Sequence, residues 1–133
     1  MPDVNLLAVL LCGVASLVLG GLWYSPLLFA RAWQASVGIT DDQLKGGSMA
    51  VIFGTAFLLS LLAAYVFAMF LGREMGLWGS TAAGAAAGIC WVAAAFGINY
   101  LFERRPLRLW LINGGYHALQ FTLFGLILGL FQR

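Results

Sequence analysis

Three polar residues in an otherwise apolar segment are the first candidates for chemistry in this chain of 133 residues. Asn113, His117 and Gln120 are spaced i, i+4 and i+7, so a helix would place them on one face. His117 is the only histidine in the sequence and would be the titratable member of a polar path or a ligand pocket. The alternative is that the three side chains form hydrogen bonds between helices, worth about 0.6–2 kcal/mol each.

The composition around these residues indicates lipid rather than water as the surrounding solvent. Hydrophobic residues make up 62% of the chain and charged residues only 9%, whereas a soluble domain carries roughly 25% charged residues. The formal net charge is +2, and there is no basic tract of the kind that follows a phosphate backbone. We therefore expect the lipid bilayer as a partner and no nucleic acid.

Four apolar segments are long enough to cross a bilayer as helices, which takes about 20 residues each. None of them contains a charged residue, and the strict alternation of membrane β-strands is absent. The predicted fold is all-α, an integral membrane four-helix bundle that forms a single domain over residues 1–133. The predicted spans cover approximately residues 5–24, 49–71, 77–102 and 109–131.

The connection between the first two spans contains helix signals of its own. Ser25-Pro26 has the form of an N-cap followed by the first helical residue, and Gly38 would end that helix about three turns later. The segment combines several apolar residues with Arg31, which predicts a short helix lying in the membrane interface. Residues 40–43, Thr-Asp-Asp-Gln, then have the form of a capping box.

Basic residues are divided unequally between the two ends of the predicted bundle. On one side, the connections between spans one and two and between spans three and four hold Arg31, Lys45, Arg104, Arg105 and Arg108. The other side holds the termini and the turn after the second span, with Arg73 and Arg133. Because cytoplasmic loops are enriched in Lys and Arg, we expect the two connections in the cytoplasm and both termini outside it.

A weak internal repeat favours two repeated helical hairpins. Gly21-Leu-Trp-Tyr24 precedes Pro26 much as Gly97-Ile-Asn-Tyr100 precedes Pro106, and both motifs end an odd-numbered span. Such a repeat would relate the hairpins by an axis along the membrane normal. The alternative is a chance resemblance between apolar helices.

Two longer motifs carry a resemblance to a known family. They are Gly21-Leu-Trp-Tyr-Ser-Pro-Leu-Leu-Phe29, followed by Trp33, and Leu101-Phe-Glu-Arg-Arg-Pro-Leu-Arg-Leu-Trp-Leu-Ile-Asn-Gly-Gly-Tyr116. Over nearly its whole length the chain resembles the domain-of-unknown-function family numbered seventeen sixty-one, which consists of small bacterial membrane proteins with four helices. The resemblance implies the four-span architecture and no activity. With the charge bias, it predicts a multi-pass protein of a bacterial inner membrane.

Depth in the membrane predicts which side chains surround His117. Asn113 and His117 lie one to two turns from the cytoplasmic end of the fourth span. Other polar and aromatic residues of the predicted ligand site or polar path are Trp23, Tyr24, Asn99, Tyr100 and Tyr116. We expect these side chains to converge on one cavity, although Trp and Tyr are also common at membrane interfaces for other reasons.

Three arginines would cover the cytoplasmic opening of that cavity. Arg104, Arg105 and Arg108 follow the third span closely. A cavity covered by guanidinium groups would suit an anionic head group or a small anion. The alternative role of these arginines is to set the orientation of the chain in the membrane.

Two pairs of glycines predict close contacts between helices. Gly84 and Gly88 form one small-xxx-small motif, and Gly125 and Gly129 form another. Such motifs let two helix backbones approach each other, either within a bundle or between subunits. Since four short helices enclose little interior, we expect a homo-oligomer.

Catalysis and metal binding have little support in the sequence. No carboxylate lies within a span to orient His117 or to act as an acid or base, so we do not expect an enzyme. Cys12 and Cys90 lie in apolar segments and are expected to be reduced and buried. Because there is no CxxC or HxxxH pair, we expect no metal site and no cofactor.

Two functions remain as hypotheses. The first is an oligomeric carrier or channel-like protein, or a protein that binds a lipid head group or another small ligand. The second is a structural or accessory subunit that packs against a larger membrane complex and has no substrate. In the first case the polar face around His117 is a site, and in the second it is packing.

Overall fold

The structure of the protein is a computed structural model that describes residues 3–131, and this part of the chain is helical without any strand. Its elements are α1 (Leu6–Trp23), α2 (Ala30–Val37), α3 (Asp41–Lys45), α4 (Met49–Leu71), α5 (Gly76–Ala87), a π-helical segment (Gly88–Ala93), α6 (Ala94–Glu103) and α7 (Leu107–Phe131). Helices α1, α4 and α7 and the continuous run Gly76–Glu103 are each long and apolar enough to cross a membrane. The predicted all-α membrane bundle with four spanning helices is confirmed.

The short helices between the first two spans begin and end at polar or glycine residues. The capping box of residues 40–43 is present at the start of α3, with both reciprocal hydrogen bonds. Gly38 ends α2 with φ of 83°, a left-handed conformation that glycine adopts without strain. The predicted N-cap at Ser25 is wrong, because α2 begins only at Ala30 and the Ser25 hydroxyl donates back to the Leu22 carbonyl.

One end of the bundle holds both chain ends and the turn between α4 and α5. The Asn5 side chain donates a hydrogen bond of 2.6 Å to the carbonyl oxygen of Phe131. Arg73, in the turn, lies 3.3 Å from the carboxylate of Asp3. These contacts tie the start of α1 to the end of α7 and to the turn. Arg133, which the sequence analysis placed on this side, lies outside the described residues.

The opposite end holds the two connections that carry most of the basic residues. Arg108 donates from Nε to the hydroxyl of Ser36 at 2.8 Å, and Arg105 donates to the carbonyl oxygen of Val37 at 3.4 Å. Both acceptors lie at the C-terminal end of α2. The arginines therefore attach the interfacial helix to the start of α7.

Helix α7 occupies the middle of the bundle and packs most closely on α5. The predicted packing glycines all lie at this crossing: Gly84, Gly88, Gly125 and Gly129. A Cβ atom on Gly84 would collide with the carbonyl oxygen of Phe121, and one on Gly125 would collide with the carbonyl oxygen of Ser80. The close approach uses the glycines within one chain.

The half of the bundle near the termini has a closed apolar core between α1, α4 and α7. Its buried residues are Ala8, Val9, Cys12, Ala64, Ala68, Leu71, Phe124 and Leu128. Phe124 and Leu128 are the largest fully buried side chains. No polar path crosses this layer among the described residues.

Helices α4 and α5 make little contact with each other and are separated by an apolar groove of about 640 Å³. A two-fold repeat would pack α4 on α5 as α1 packs on α7, so the two hairpins are not packed symmetrically. Cys90 lines this groove and is exposed, so the prediction that it is buried is wrong. Cys12 is buried as predicted.

A π-helical turn interrupts the third span where it passes His117. Residues Gly88–Ala93 widen the helix by one residue per turn. The carbonyl oxygen of Ala93, at the end of this turn, accepts a 2.8 Å hydrogen bond from Nε1 of Trp110. The turn changes which residues of α6 face α7, and the sequence analysis did not predict it.

Candidate functional site

A cavity of about 470 Å³ lies at the end of the bundle that carries α2 and α3. It is lined by Tyr24, Ala30, Trp33, Gln34, Leu44, Phe96, Asn113 and His117. Helices α2 and α3 form one wall, and α1, α6 and α7 form the other. The lining is mostly apolar or aromatic and contains no Lys, Arg, Asp or Glu. Three of the predicted site residues, Tyr24, Asn113 and His117, line this cavity.

Asn113 connects three helices through its side-chain amide. The Tyr24 hydroxyl donates to Oδ1 of Asn113 at 2.6 Å, and Nδ2 of Asn113 donates to the Tyr100 hydroxyl at 2.8 Å. The two tyrosines occupy corresponding positions in the weak sequence repeat. Asn113, on α7, therefore holds α1 and α6 together at the inner wall of the cavity.

His117 begins a second polar cluster that lies deeper in the bundle. Its Nδ1 is 2.7 Å from Oε1 of Gln120. The Gln120 amide nitrogen donates to the hydroxyls of Ser16 at 3.0 Å and Ser60 at 3.4 Å. Gln120 is buried, so these bonds satisfy an amide that would otherwise be costly inside the bundle. The cluster joins α7 to α1 and α4.

Stacking fixes the orientation of the His117 ring. The ring stacks on Phe96 with centroids 5.1 Å apart and planes 15° apart. Tyr116 meets its edge, with a centroid distance of 4.9 Å. The imidazole is thus held on one face by α6 and on one edge by its neighbour on α7.

Two other predicted residues make structural hydrogen bonds and do not line the cavity. Nε1 of Trp23 donates to the carbonyl oxygen of Ile112 at 2.8 Å, and the Tyr116 hydroxyl donates to the carbonyl oxygen of Ser16 at 2.9 Å. Both bonds join α1 to α7. These two side chains position the helices that form the site.

Asn99 and the arginines do not join the cavity as predicted. Asn99 is exposed and points away from α7, because it is adjacent to Tyr100 and neighbouring residues of a helix differ by about 100° in direction. Arg104 is exposed in a left-handed conformation with φ of 61°. Arg105 and Arg108 bind the end of α2. The cavity is covered by α2 and α3 instead.

The sequence analysis missed several residues of the site. Ser16 and Ser60 were considered only as possible nucleophiles, although their positions in the middle of two spans match the depth of Gln120. Trp33, Gln34 and Leu44 were assigned to an interfacial segment and not to a cavity wall. A signal was available for Trp33 and Gln34, since they are the aromatic and polar residues on one side of a short amphipathic helix.

The chemistry that this arrangement allows is binding by stacking and hydrogen bonding. His117 contacts an amide rather than a carboxylate, and it does not contact the hydroxyl of Ser16 or Ser60 directly. The elements of nucleophilic catalysis are therefore not assembled. Within residues 3–131, no group of three His, Cys, Asp or Glu side chains could hold a metal ion.

Comparison with known proteins places the chain by family. No curated protein and no solved structure matches it. The family described as "Protein of unknown function (DUF1761)" matches residues 7–129, which is nearly the whole chain. Together with the four membrane-spanning helices, this match identifies the chain as a small multi-pass membrane protein that belongs to the DUF1761 family.

Proposed function

We propose that this protein binds a small molecule in the cavity between α2, α3 and the cytoplasmic end of the bundle. The observation that carries the proposal is the placing of His117 and Asn113 in the wall of a cavity that is otherwise aromatic and apolar. Ligand sites commonly combine an apolar lining with a few fixed polar groups. Both side chains are held by hydrogen bonds and stacking, so a ligand would meet a preformed surface.

The rest of the bundle supports binding rather than a continuous channel within one chain. Beyond Gln120 the interior is filled by Phe124, Leu128 and their apolar neighbours. A carrier function would therefore require a rearrangement of helices around the cavity. The contacts among His117, Gln120 and the two serines do not support catalysis, and we propose a non-enzymatic role without a cofactor.

The orientation proposed for the protein places this cavity at the cytoplasmic face of a bacterial inner membrane, with both termini outside the cytoplasm. The support is the excess of Lys and Arg at the cavity end. A reporter that is active only in the cytoplasm, fused after residue 133, is expected to be inactive. Activity of that fusion would contradict the proposed orientation.

Filling the cavity tests the binding function. Ala30 lines the cavity, whereas Ala35, on the same helix, does not. We expect native mass spectrometry of protein purified gently from its own membranes to show a bound small molecule, retained by Ala35→Trp and lost from Ala30→Trp. Absence of a bound mass in the unaltered protein, or its retention in Ala30→Trp, would count against the proposal.

A second candidate function is supported by the groove between α4 and α5. The groove is apolar and open along the side of the bundle, and α4 is exposed over most of its length. In this role the protein is a structural or accessory subunit, with a second copy of the chain or another membrane protein packed on the groove. The expected homo-oligomer belongs to this proposal.

The groove is tested by counting subunits. Ala86 lines the groove and is exposed, so Ala86→Trp would fill it without touching the cavity near His117. Single-molecule photobleaching in lipid nanodiscs is expected to show more than one copy per disc, and fewer for the variant. A single copy for the unaltered protein would contradict self-association.

A further inference from the structure

We infer that the ligand of this cavity donates a hydrogen bond to Nε2 of His117 and is therefore a flat, largely apolar compound that carries an O–H or N–H group. The inference rests on the binding function proposed above and adds the chemical class of the ligand. It follows from the hydrogen bonds that fix the proton on His117, from the acceptors left free in the wall, and from the rings around them.

The polar cluster behind His117 determines which ring nitrogen carries the proton. The amide nitrogen of Gln120 donates to the hydroxyls of Ser16 and Ser60, so the amide oxygen is the atom that faces Nδ1 of His117. A carbonyl oxygen can only accept a hydrogen bond. Nδ1 must therefore carry the proton, and Nε2 of the neutral imidazole presents a lone pair.

That lone pair is available to a ligand. Nδ1 is the His117 nitrogen with a hydrogen-bond partner among the described residues. In the same part of the chain, no buried side-chain nitrogen or oxygen is left without a partner. Nε2 is therefore accessible, and the open space that His117 borders is the cavity.

A second acceptor lies in the opposite wall. Nε2 of Gln34 donates to the carboxylate of Asp41 at 2.8 Å, which leaves the carbonyl oxygen of Gln34 free to accept. Gln34 lines the cavity from α2 while His117 lines it from α7. The polar groups set by this network are thus acceptors on both sides, and they require donors from a ligand.

The remaining walls favour a flat body. Tyr24, Trp33 and Phe96 contribute aromatic rings to the lining. Aromatic rings pack well against another ring in offset or edge-to-face arrangements. A single ring with a hydroxyl or N–H group meets both requirements and fits within about 470 Å³.

A simple anion does not fit this lining. Arg105 and Arg108, which the sequence analysis placed over the cavity, bind the C-terminal end of α2 and do not line it. A phosphate or carboxylate without a proton would face the lone pairs of His117 and Gln34 with no cation beside it. This arrangement disfavours the anionic head group expected from the sequence.

The presence of one histidine in the chain allows a direct test. Protein labelled with ¹⁵N-histidine is reconstituted in lipid nanodiscs, and the ring nitrogens of His117 are observed by NMR. We expect the signature of a neutral ring protonated at Nδ1. In Gln120→Met, which removes the acceptor, we expect this preference to be lost. A ring protonated at Nε2 in the unaltered protein would overturn the inference without any ligand.

Phenol and anisole then test the ligand class, because they differ by replacement of the O–H hydrogen with a methyl group. We expect phenol to shift the Nε2 resonance and to bind about fivefold more tightly than anisole, as befits one added hydrogen bond. In His117→Phe, followed through the tryptophan fluorescence, the preference for phenol should disappear. Ala30→Trp should block both compounds, and Ala35→Trp should block neither.

The outcomes separate the two proposals. If phenol and anisole bind equally and Ala30→Trp blocks both, the cavity binds ligands but the donor requirement is wrong. If His117→Phe keeps the preference for phenol, the requirement does not arise from His117 and the inference also fails. If neither compound affects the protein and Ala30→Trp is indistinguishable from it, the binding function fails as well.

Discussion

The crossing of α5 and α7 predicts opposite effects for two glycine-to-alanine substitutions in membrane-spanning helices. Gly84 lies in the contact, and a Cβ atom there would be 2.9 Å from the carbonyl carbon of Phe121 and 3.2 Å from the backbone nitrogen of Gly125. Gly54, on α4, has no atom within 4 Å of the same added group. The substitution is identical, and the surroundings differ.

The magnitude follows from these distances. Ordinary van der Waals contact begins near 3.4 Å, and the atoms that obstruct the new methyl group belong to the backbone. The two helices must separate by about half an ångström or more, because no side chain can rotate away. Overpacking of this kind costs about 1–3 kcal/mol. Gly54→Ala carries no such cost and gains up to about 1 kcal/mol from helix propensity.

Unfolding by SDS in mixed micelles, followed by circular dichroism, measures the difference. We expect Gly84→Ala to unfold at a lower fraction of SDS than Gly54→Ala, with a difference in the free energy of unfolding of about 1–3 kcal/mol. Equal unfolding of the two variants would refute the close approach of α5 and α7 and the packing role given to Gly84.

Three further predictions concern the site and its surroundings. Asn113→Leu should lower the free energy of unfolding by about 1–3 kcal/mol in the same SDS titration, because it leaves two tyrosine hydroxyls without their partner, whereas Asn99→Leu at an exposed position should change it little; equal losses would contradict the assigned network. A membrane-permeant maleimide should label Cys90 much faster than Cys12 as read by mass spectrometry, and rapid labelling of Cys12 would show that the core is open. Arg108→Ala should increase the hydrogen exchange of the α2 amides by removing the bond to its end, and unchanged exchange would show that other contacts hold α2.

The number of spans and several helix ends were predictable from the sequence because they depend on local physical chemistry. Uncharged segments of about 20 residues can lie in lipid only as helices. The capping box of residues 40–43 and the left-handed end at Gly38 depend on neighbours within one turn. The family resemblance carried the same architecture, and the family is confirmed.

The rotation of each helix about its axis was much harder to predict. In a soluble protein the polar face of a helix marks the side that contacts water. In this protein the lipid-facing and core-facing sides are both apolar, so composition does not distinguish them. Asn99 and Tyr100 were therefore assigned to one cavity, although adjacent helical residues cannot both face α7.

The cover of the cavity was missed for a different reason. Depth along the membrane normal placed Arg105 and Arg108 near the opening, and this coordinate was sound. The sequence did not contain the path of α2 across the end of the bundle, which brings Trp33 and Gln34 over His117. That path depends on contacts between residues about 70 positions apart, such as that of Arg108 with Ser36.

The π-helical turn at Gly88–Ala93 has a consequence for how the third span tolerates changes in length. Such a turn accommodates one residue more than a regular α-helix would. Removal of one residue within it would restore a regular helix and rotate everything that follows by about 100°. Phe96 would then leave the imidazole of His117, and Tyr100 would leave Asn113. The ring and the hydroxyl that hold the site in place thus depend on one extra residue a turn away.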